Sequence, residues 1–174
     1  MTGHGASAKH RVAIAGASGY TGVELLRFLV QHPAVRVVAL TAETHANQPI
    51  GQVFPNLRGF VDLTCVPLDA AALAREAEFV FLALPHKASM TVGAELVERG
   101  VRVLDLSADF RLKDAAAYPK WYGFEHTAPP LLTAAVYGLP ELHRDAIASA
   151  RLVAVPGCYP TSAILGLSPL LAKG

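Results

Sequence analysis

Cys158 stands in VPGCYPT (155–161), where an apolar run ends as a strand would and the next stretch opens as a helix would. Pro160 is read as the first residue of that helix. A thiol there feels the positive end of the helix dipole, which favours the thiolate, the form that attacks electrophiles. The free N–H groups of the first turn can also stabilise an oxyanion. A second chemistry-bearing stretch, GASGYTG, spaces Gly16, Gly19 and Gly22 three apart at the end of the first apolar run. Glycines in that place allow a tight turn and let a pyrophosphate approach backbone N–H groups at a helix N-terminus, with Ser18 and Thr21 adding hydroxyls. The spacing is G-x-x-G-x-x-G rather than the usual G-x-G-x-x-G, so its weight comes from the strand-to-helix junction it occupies. A thiolate beside a nicotinamide points to acyl chemistry. An activated acyl group forms a thioester and hydride transfer yields an aldehyde, or the reverse.

The choice of dinucleotide is left open by the residues themselves. An acid at the end of the second strand, such as Glu43, accepts from a ribose 2′-OH and favours NAD, although a solvated loop carboxylate looks the same. Thr41, Thr44 and His45 can instead serve a 2′-phosphate, but no arginine stands beside them. Cys65, inside the apolar VDLTCV, is read as a buried structural cysteine.

The elements that must position these groups are six short apolar runs: 11–16, 35–41, 61–66, 78–84, 101–107 and 151–157. They do not alternate with polar residues, as expected of strands covered on both faces of a parallel sheet. Helical patterns at 21–32, 69–77 and 87–100 lie between them, the first stopped by Pro33 and the third by Gly100. Strand alternating with helix predicts an α/β, Rossmann-like, doubly wound, mostly parallel six-strand sheet with right-handed crossovers. That domain is placed at 11–157, after a disordered tail at 1–10. Residues 108–150, with four prolines and the aromatic WYGF, are read as an irregular excursion with one short helix around 141–149.

The chain of 174 residues is 52% hydrophobic, 17% charged and carries a formal charge of +1, with its basic residues scattered. Nucleic acid and anionic membrane are therefore not expected partners. The apolar region 152–172 is broken by Pro156, Pro160 and Pro169, which excludes a continuous spanning helix. Two cysteines without CxxC spacing give neither a disulfide scaffold nor a zinc site, and no metal is expected. The setting this implies is soluble, reducing and cytoplasmic. None of the five tyrosines has a lysine four residues on, and neither a G-x-S-x-G elbow nor a GK phosphate loop occurs.

Five motifs, GASGYTGVELLR, FLALPH, DLSADFRL, YGLPEL and VPGCYPT, follow one another from about Arg11 onward. They resemble the N-acetyl-γ-glutamyl-phosphate reductase family of arginine biosynthesis, related in fold to aspartate-semialdehyde dehydrogenase and glyceraldehyde-3-phosphate dehydrogenase. A lysine-pathway branch acting on an aminoadipyl phosphate shares these motifs. The resemblance implies that Cys158 forms the thioester and that Gly16, Ser18, Gly19, Tyr20, Thr21 and Gly22 form the cofactor loop; Thr41, from the second strand's end, is counted with the cofactor-binding residues. It implies NADP(H) as cofactor, a small-molecule acyl phosphate and inorganic phosphate as partners, and a homo-oligomeric full-length enzyme.

By the same resemblance Arg111 holds phosphate, for which a bidentate guanidinium is suited; a surface salt bridge with Asp109 or Asp114 is its plainer role. Ser107 faces the cofactor, or else caps the local backbone. His86 is a loop residue near the cofactor, and His126 is structural or substrate-adjacent. The general acid/base of the family is a histidine well downstream of the cysteine, so residues 158–174 are expected to begin an α+β catalytic domain whose remainder is absent. The chain is then expected to bind NADP(H) with little turnover of its own. A non-catalytic nucleotide-binding module with an inert Cys158 is the contrasting expectation.

Overall fold

A computed structural model describes residues 9–173. Two compact units are present, Met1–Ala83 and Leu84–Gly174. All described strand pairing within each is parallel.

In the first unit, β1 (His10–Ala15) lies between β2 (Val35–Thr41) and β4 (Phe79–Leu82), and β3 (Cys65–Val66) flanks β2. The register runs from His10 opposite Val35 to Ala15 opposite Thr41, with a one-residue shift between Val12 and Ala13. Val12, Ala13, Ile14 and Ala15 are all buried, which explains why the run reads as continuously apolar rather than alternating. The helix α1 (Tyr20–Leu29) joins β1 to β2 and packs Val23, Leu26 and Leu29 inward, so its apolar residues recur at three-residue spacing. Between β2 and β3 lies a four-residue helix, α2 (Ile50–Val53), and between β3 and β4 lies α3 (Ala70–Glu76). The Asp69 carboxylate caps α3 by accepting from the Ala72 N–H at 3.0 Å.

The strand expected over 61–66 pairs only at its last two residues. Before them, Leu63 O accepts from Ile50 N–H instead, and on the open side of β3 the Cys65 N–H donates to Gln48 O, both at 2.9 Å. The tail expected at 1–10 lies outside the described residues as far as Ala8, while His10 already pairs in β1.

The second unit holds β5 (Arg102–Asp105), β7 (Leu152–Ala154) and β6 (Val136–Tyr137) in that spatial order. Its helices are α4 (Ala88–Glu98), α5 (Ala117–Tyr122), α6 (Pro129–Ala134), α7 (Pro140–Ser149) and α8 (Cys158–Leu171). Seven strands therefore form, not six. The additional one, β6, falls inside the stretch read as irregular, and two residues are too short to show any period. That stretch is in fact anchored by an aromatic group: Tyr118, fully buried, has Phe124 at 5.6 Å and His126 at 4.8 Å between ring centroids. The Lys113 ammonium donates to the carbonyls of Leu132, Thr133 and Ala135, satisfying the C-terminal end of α6.

Leu26 is 0% exposed whereas Phe28, on the outer face of the same helix, is 62% exposed. Urea unfolding should accordingly show a loss of about 2–5 kcal/mol for Leu26→Ala and at most about 0.5 kcal/mol for Phe28→Ala.

Candidate functional site

In the first unit the glycine loop is tied to the end of β2. The N–H groups of Gly16 and Ala17 both donate to Thr41 O, at 3.1 and 2.8 Å, and Gly19 N–H closes a tight turn onto Gly16 O at 3.2 Å. Gly16 turns out of β1 with φ of 88°, the left-handed region that favours glycine. Gly22 is where the helix crosses this loop: a β-carbon there would meet the Gly16 carbonyl and come within 2.7 Å of Ala17 Cα. Gly19 caps α1 without a side-chain bond, and the first intrahelical bond is Val23 N–H to Gly19 O at 2.9 Å. The N–H groups of Tyr20, Thr21 and Gly22 thus have no helical acceptor and form a donor cradle with no acid in the first turn.

Ser18, Gly19 and Tyr20 form one wall of a cleft of about 450 Å³, with His45, Gln48 and Phe54 in the other. Loop and cleft fit the phosphates and one end of a dinucleotide. Thr41 reaches the loop through its carbonyl, its own side chain being buried. Glu43 is exposed and does not line the cleft. Gln48 and Phe54, on either side of α2, do line the cleft, and neither belongs to a motif the sequence displays.

In the second unit, Cys158 is exposed and occupies the first position of α8, after Gly157 as N-cap. The helix begins at Cys158 and not at Pro160; the proline is its third residue, where no intrahelical N–H bond is required. Thr161 fastens the turn, its N–H and hydroxyl both donating to Gly157 O at 3.0 and 2.9 Å.

Arg111 donates through Nε to Val155 O and through Nη2 to Leu106 O, both at 2.8 Å. Its Nη1 lies 3.3 Å from the point where a β-carbon on Gly157 would stand. The guanidinium therefore rests against the cysteine's turn, and it enters none of the ion pairs found among the described residues. With Nε and one N–H of Nη2 committed to carbonyls, Nη1 and the second N–H of Nη2 are left to face an anion.

Ser107 is buried with its hydroxyl fully engaged. It donates to Asp105 Oδ2 at 2.7 Å and accepts from Asp109 N–H at 3.0 Å. This is the capping role, and it leaves no hydroxyl proton for a ligand. Burial pushes the Asp105 carboxyl up, against the Ser107 hydrogen bonds that pull it down.

His126 is also internal. Its Nε2–H donates to Asp109 O at 2.8 Å while Nδ1 accepts from Ala128 N–H at 3.2 Å, a pairing that only the neutral ring can make. Burial lowers its titration, Asp109 opposing. The Tyr118 hydroxyl, held by Leu112 N–H, is pushed up to about 12 by burial.

A parallel-stranded unit with a glycine loop at a helix N-terminus defines a dinucleotide-binding α/β protein. The chain belongs to the family described as semialdehyde dehydrogenase, NAD binding domain, whose model matches residues 11–150. It is 54% identical over 162 residues to an N-acetyl-gamma-glutamyl-phosphate reductase of Polynucleobacter asymbioticus, covering 93% of this chain and 46% of that protein. It is 55% identical over 161 residues to a protein of the same name from Geobacter sp., covering 92% and 46%. The chain spans about half the length of the curated relatives it matches.

The fold is shared with aspartate semialdehyde dehydrogenase II of Vibrio cholerae, at 17% identity and TM-score 0.67 over 95% of this chain and 43% of that one. It is shared too with aspartate semialdehyde dehydrogenase with NADP from Candida albicans, at 15% and 0.66 over 95% and 48%. No helix among the described residues is long and apolar enough to cross a membrane.

Two outcomes follow from this geometry. Gly22→Ala must push α1 off the loop and should cost about 1–3 kcal/mol in urea unfolding, with dinucleotide binding lost by calorimetry. His126 titrates below its ordinary value of 6.5 when folded, so the unfolded chain takes up the proton first. Stability should be flat above that pH and fall below it, by at most about 1.4 kcal/mol per pH unit. Asp105 acts in the opposite sense, since its raised carboxyl contributes stability at low pH that is lost as pH rises. The difference between wild type and His126→Gln cancels the Asp105 contribution, and it should grow only on acidification.

Proposed function

We propose that this chain is the cofactor-binding, nucleophile-bearing part of an NADPH-dependent reductase that converts N-acetyl-γ-glutamyl phosphate to N-acetylglutamate 5-semialdehyde and phosphate, in arginine biosynthesis. The observation that carries the proposal is the Arg111 guanidinium lying against the turn of an exposed cysteine at a helix N-terminus. It sets an anion donor beside a nucleophile, as cleavage of an acyl phosphate requires. The names of the relatives above support the substrate, while the complete reaction belongs to the whole protein.

In this reading Cys158 Sγ attacks the acyl carbon, an S–C bond forms, and the C–O bond to phosphate breaks. Arg111 Nη1 faces the leaving phosphate and balances its charge. The first-turn N–H groups of α8 stabilise the oxyanion of the tetrahedral intermediate. Bound NADPH supplies the hydride that reduces the thioester to the aldehyde and frees the thiolate. Gly16, Ser18, Gly19, Tyr20, Thr21 and Gly22 hold its phosphates, with Thr41 shaping that loop from behind. NADP is favoured over NAD because Glu43 stays out of the cleft while His45 and Gln48 offer hydrogen bonds within it.

Two measurements test this. Iodoacetamide should label Cys158 and spare Cys65, which is buried and whose thiol is pushed up by that burial; equal labelling of the two in the folded chain would favour an inert module. Calorimetry should show NADP+ binding about tenfold or more tighter than NAD+, as one charge-assisted hydrogen bond to the extra phosphate implies. Equal affinity removes the NADP assignment.

A further inference from the structure

Asp109 is 0% exposed and its two carboxylate oxygens are used unequally. Oδ2 accepts from Met90 N–H at 2.9 Å, in the first turn of α4, whereas Oδ1 is buried with no hydrogen-bond partner. The nearest cationic candidate is His86, whose Nδ1 lies 3.8 Å from Oδ1. That nitrogen is already an acceptor, taking the Ala108 N–H at 3.1 Å. It therefore carries no proton, and the ring is the neutral tautomer with its hydrogen on Nε2. The His86 side chain is 55% exposed, and its Nδ1 edge faces the buried carboxylate. Lys87 follows directly, its ammonium 5.5 Å over the Phe124 ring, and the Tyr122 ring stands 6.0 Å from the imidazole. The titratable or charged groups found around the ring are thus Asp109, Lys87 and Tyr122.

We propose that His86 is a phosphate-contacting residue that takes up a proton when its ligand binds, with the buried Asp109 Oδ1 as the waiting partner for that proton. The proposal rests on the reading of this chain as one that handles phosphate-bearing ligands. In the free protein Nδ1 is held by Ala108 N–H, which leaves Nε2–H as the ring's donor. Bringing an anionic phosphate oxygen to Nε2–H places the ring between two negative charges. A proton from solvent then adds to Nδ1, its bond from Ala108 N–H breaks, and Nδ1–H donates to Asp109 Oδ1. The uncovered Ala108 N–H opposes this rearrangement. The imidazolium gives the phosphate a charge-assisted hydrogen bond in place of a neutral one. The unsatisfied Oδ1 is explained as an acceptor reserved for one of two states.

The test is isothermal calorimetry of the chain with NADP+, NAD+ or inorganic phosphate, in two buffers of different ionisation enthalpy near neutral pH. Net proton uptake is expected with at least one ligand and should be lost in His86→Asn. Uptake with phosphate alone assigns the oxygen to substrate or product; uptake with dinucleotide alone assigns it to the cofactor. Asp109→Asn should bind with its uptake lost, and since Asp109 also caps α4, its folding is checked by circular dichroism. Where that variant does not fold, His86→Asn decides, being at an exposed side chain. Long-range proton–nitrogen NMR should show the Nε2–H tautomer of His86 in the free chain.

An Nδ1–H tautomer, or uptake that persists in His86→Asn, overturns the proposal. Binding of both ligand types without uptake overturns it while leaving the cofactor assignment intact. If the dinucleotide does not bind, the cofactor assignment fails and the phosphate arm alone decides on His86.

Discussion

The nucleophile's turn depends on the Arg111 guanidinium. By donating to Leu106 O and Val155 O, it ties the backbone leaving β5 to the backbone leaving β7. Those carbonyls lie beyond the strand ends, where no ladder partner satisfies them, so the side chain does what a further residue of pairing would do. Val155 is two residues before the N-cap of α8, and fixing its carbonyl fixes the direction from which Gly157 and Cys158 enter the helix. A lysine cannot replace this: one ammonium does not present parallel donors in a rigid plane. The same group that shapes the turn keeps one nitrogen beside it, so positioning and anion recognition come from a single side chain.

What the sequence reveals of this arrangement depends on whether a feature has a local signature. The glycine loop was legible because backbone crowding at Gly22 and the left-handed turn at Gly16 each exclude other residues. The buried strands were legible where both faces are covered, as at 12–15. The run 61–66 misled because Val61, Leu63 and Cys65 pack on the core whether or not the backbone forms a ladder, and nothing in the sequence says that residues 47–50 will bond Leu63 and Cys65. Pro160 suggested a helix start two residues late, since proline is tolerated anywhere in the first turn. The short α2 and β6 carry no period at all. Arg111 could be named but not its partners, because backbone carbonyls at strand ends leave no mark in a sequence.

The stretch 108–150 shows how an irregular segment is held without a long element. Its polar groups turn inward: Asp109 N–H donates to Ser107, Leu112 N–H donates to Tyr118, and His126 bonds the Asp109 carbonyl. Aromatic faces surround them, Phe110 and Tyr118 both contacting the His126 ring. In such surroundings each hydrogen bond is stronger and each unmade one more costly, so the segment is specified by satisfaction of its polar atoms rather than by propensity. That is why the sequence shows only the helix around 141–149, while the segment folds with three helices and a strand.

Two carboxylates, Asp105 at the end of β5 and Asp109 just after it, are fully buried, which burial energetics alone would not favour. Asp105 is accounted for by Ser107, which gives it both a hydroxyl and an N–H. Asp109 is accounted for only in part. Its Oδ2 and its carbonyl hold α4 and His126, and an asparagine offers the same two acceptors. The property an asparagine lacks is a second anionic oxygen, and that oxygen is the one left without a partner, on the side of His86. A structural role therefore explains one oxygen and the carbonyl of this residue, and the second oxygen is the one the proposed proton uptake at His86 employs.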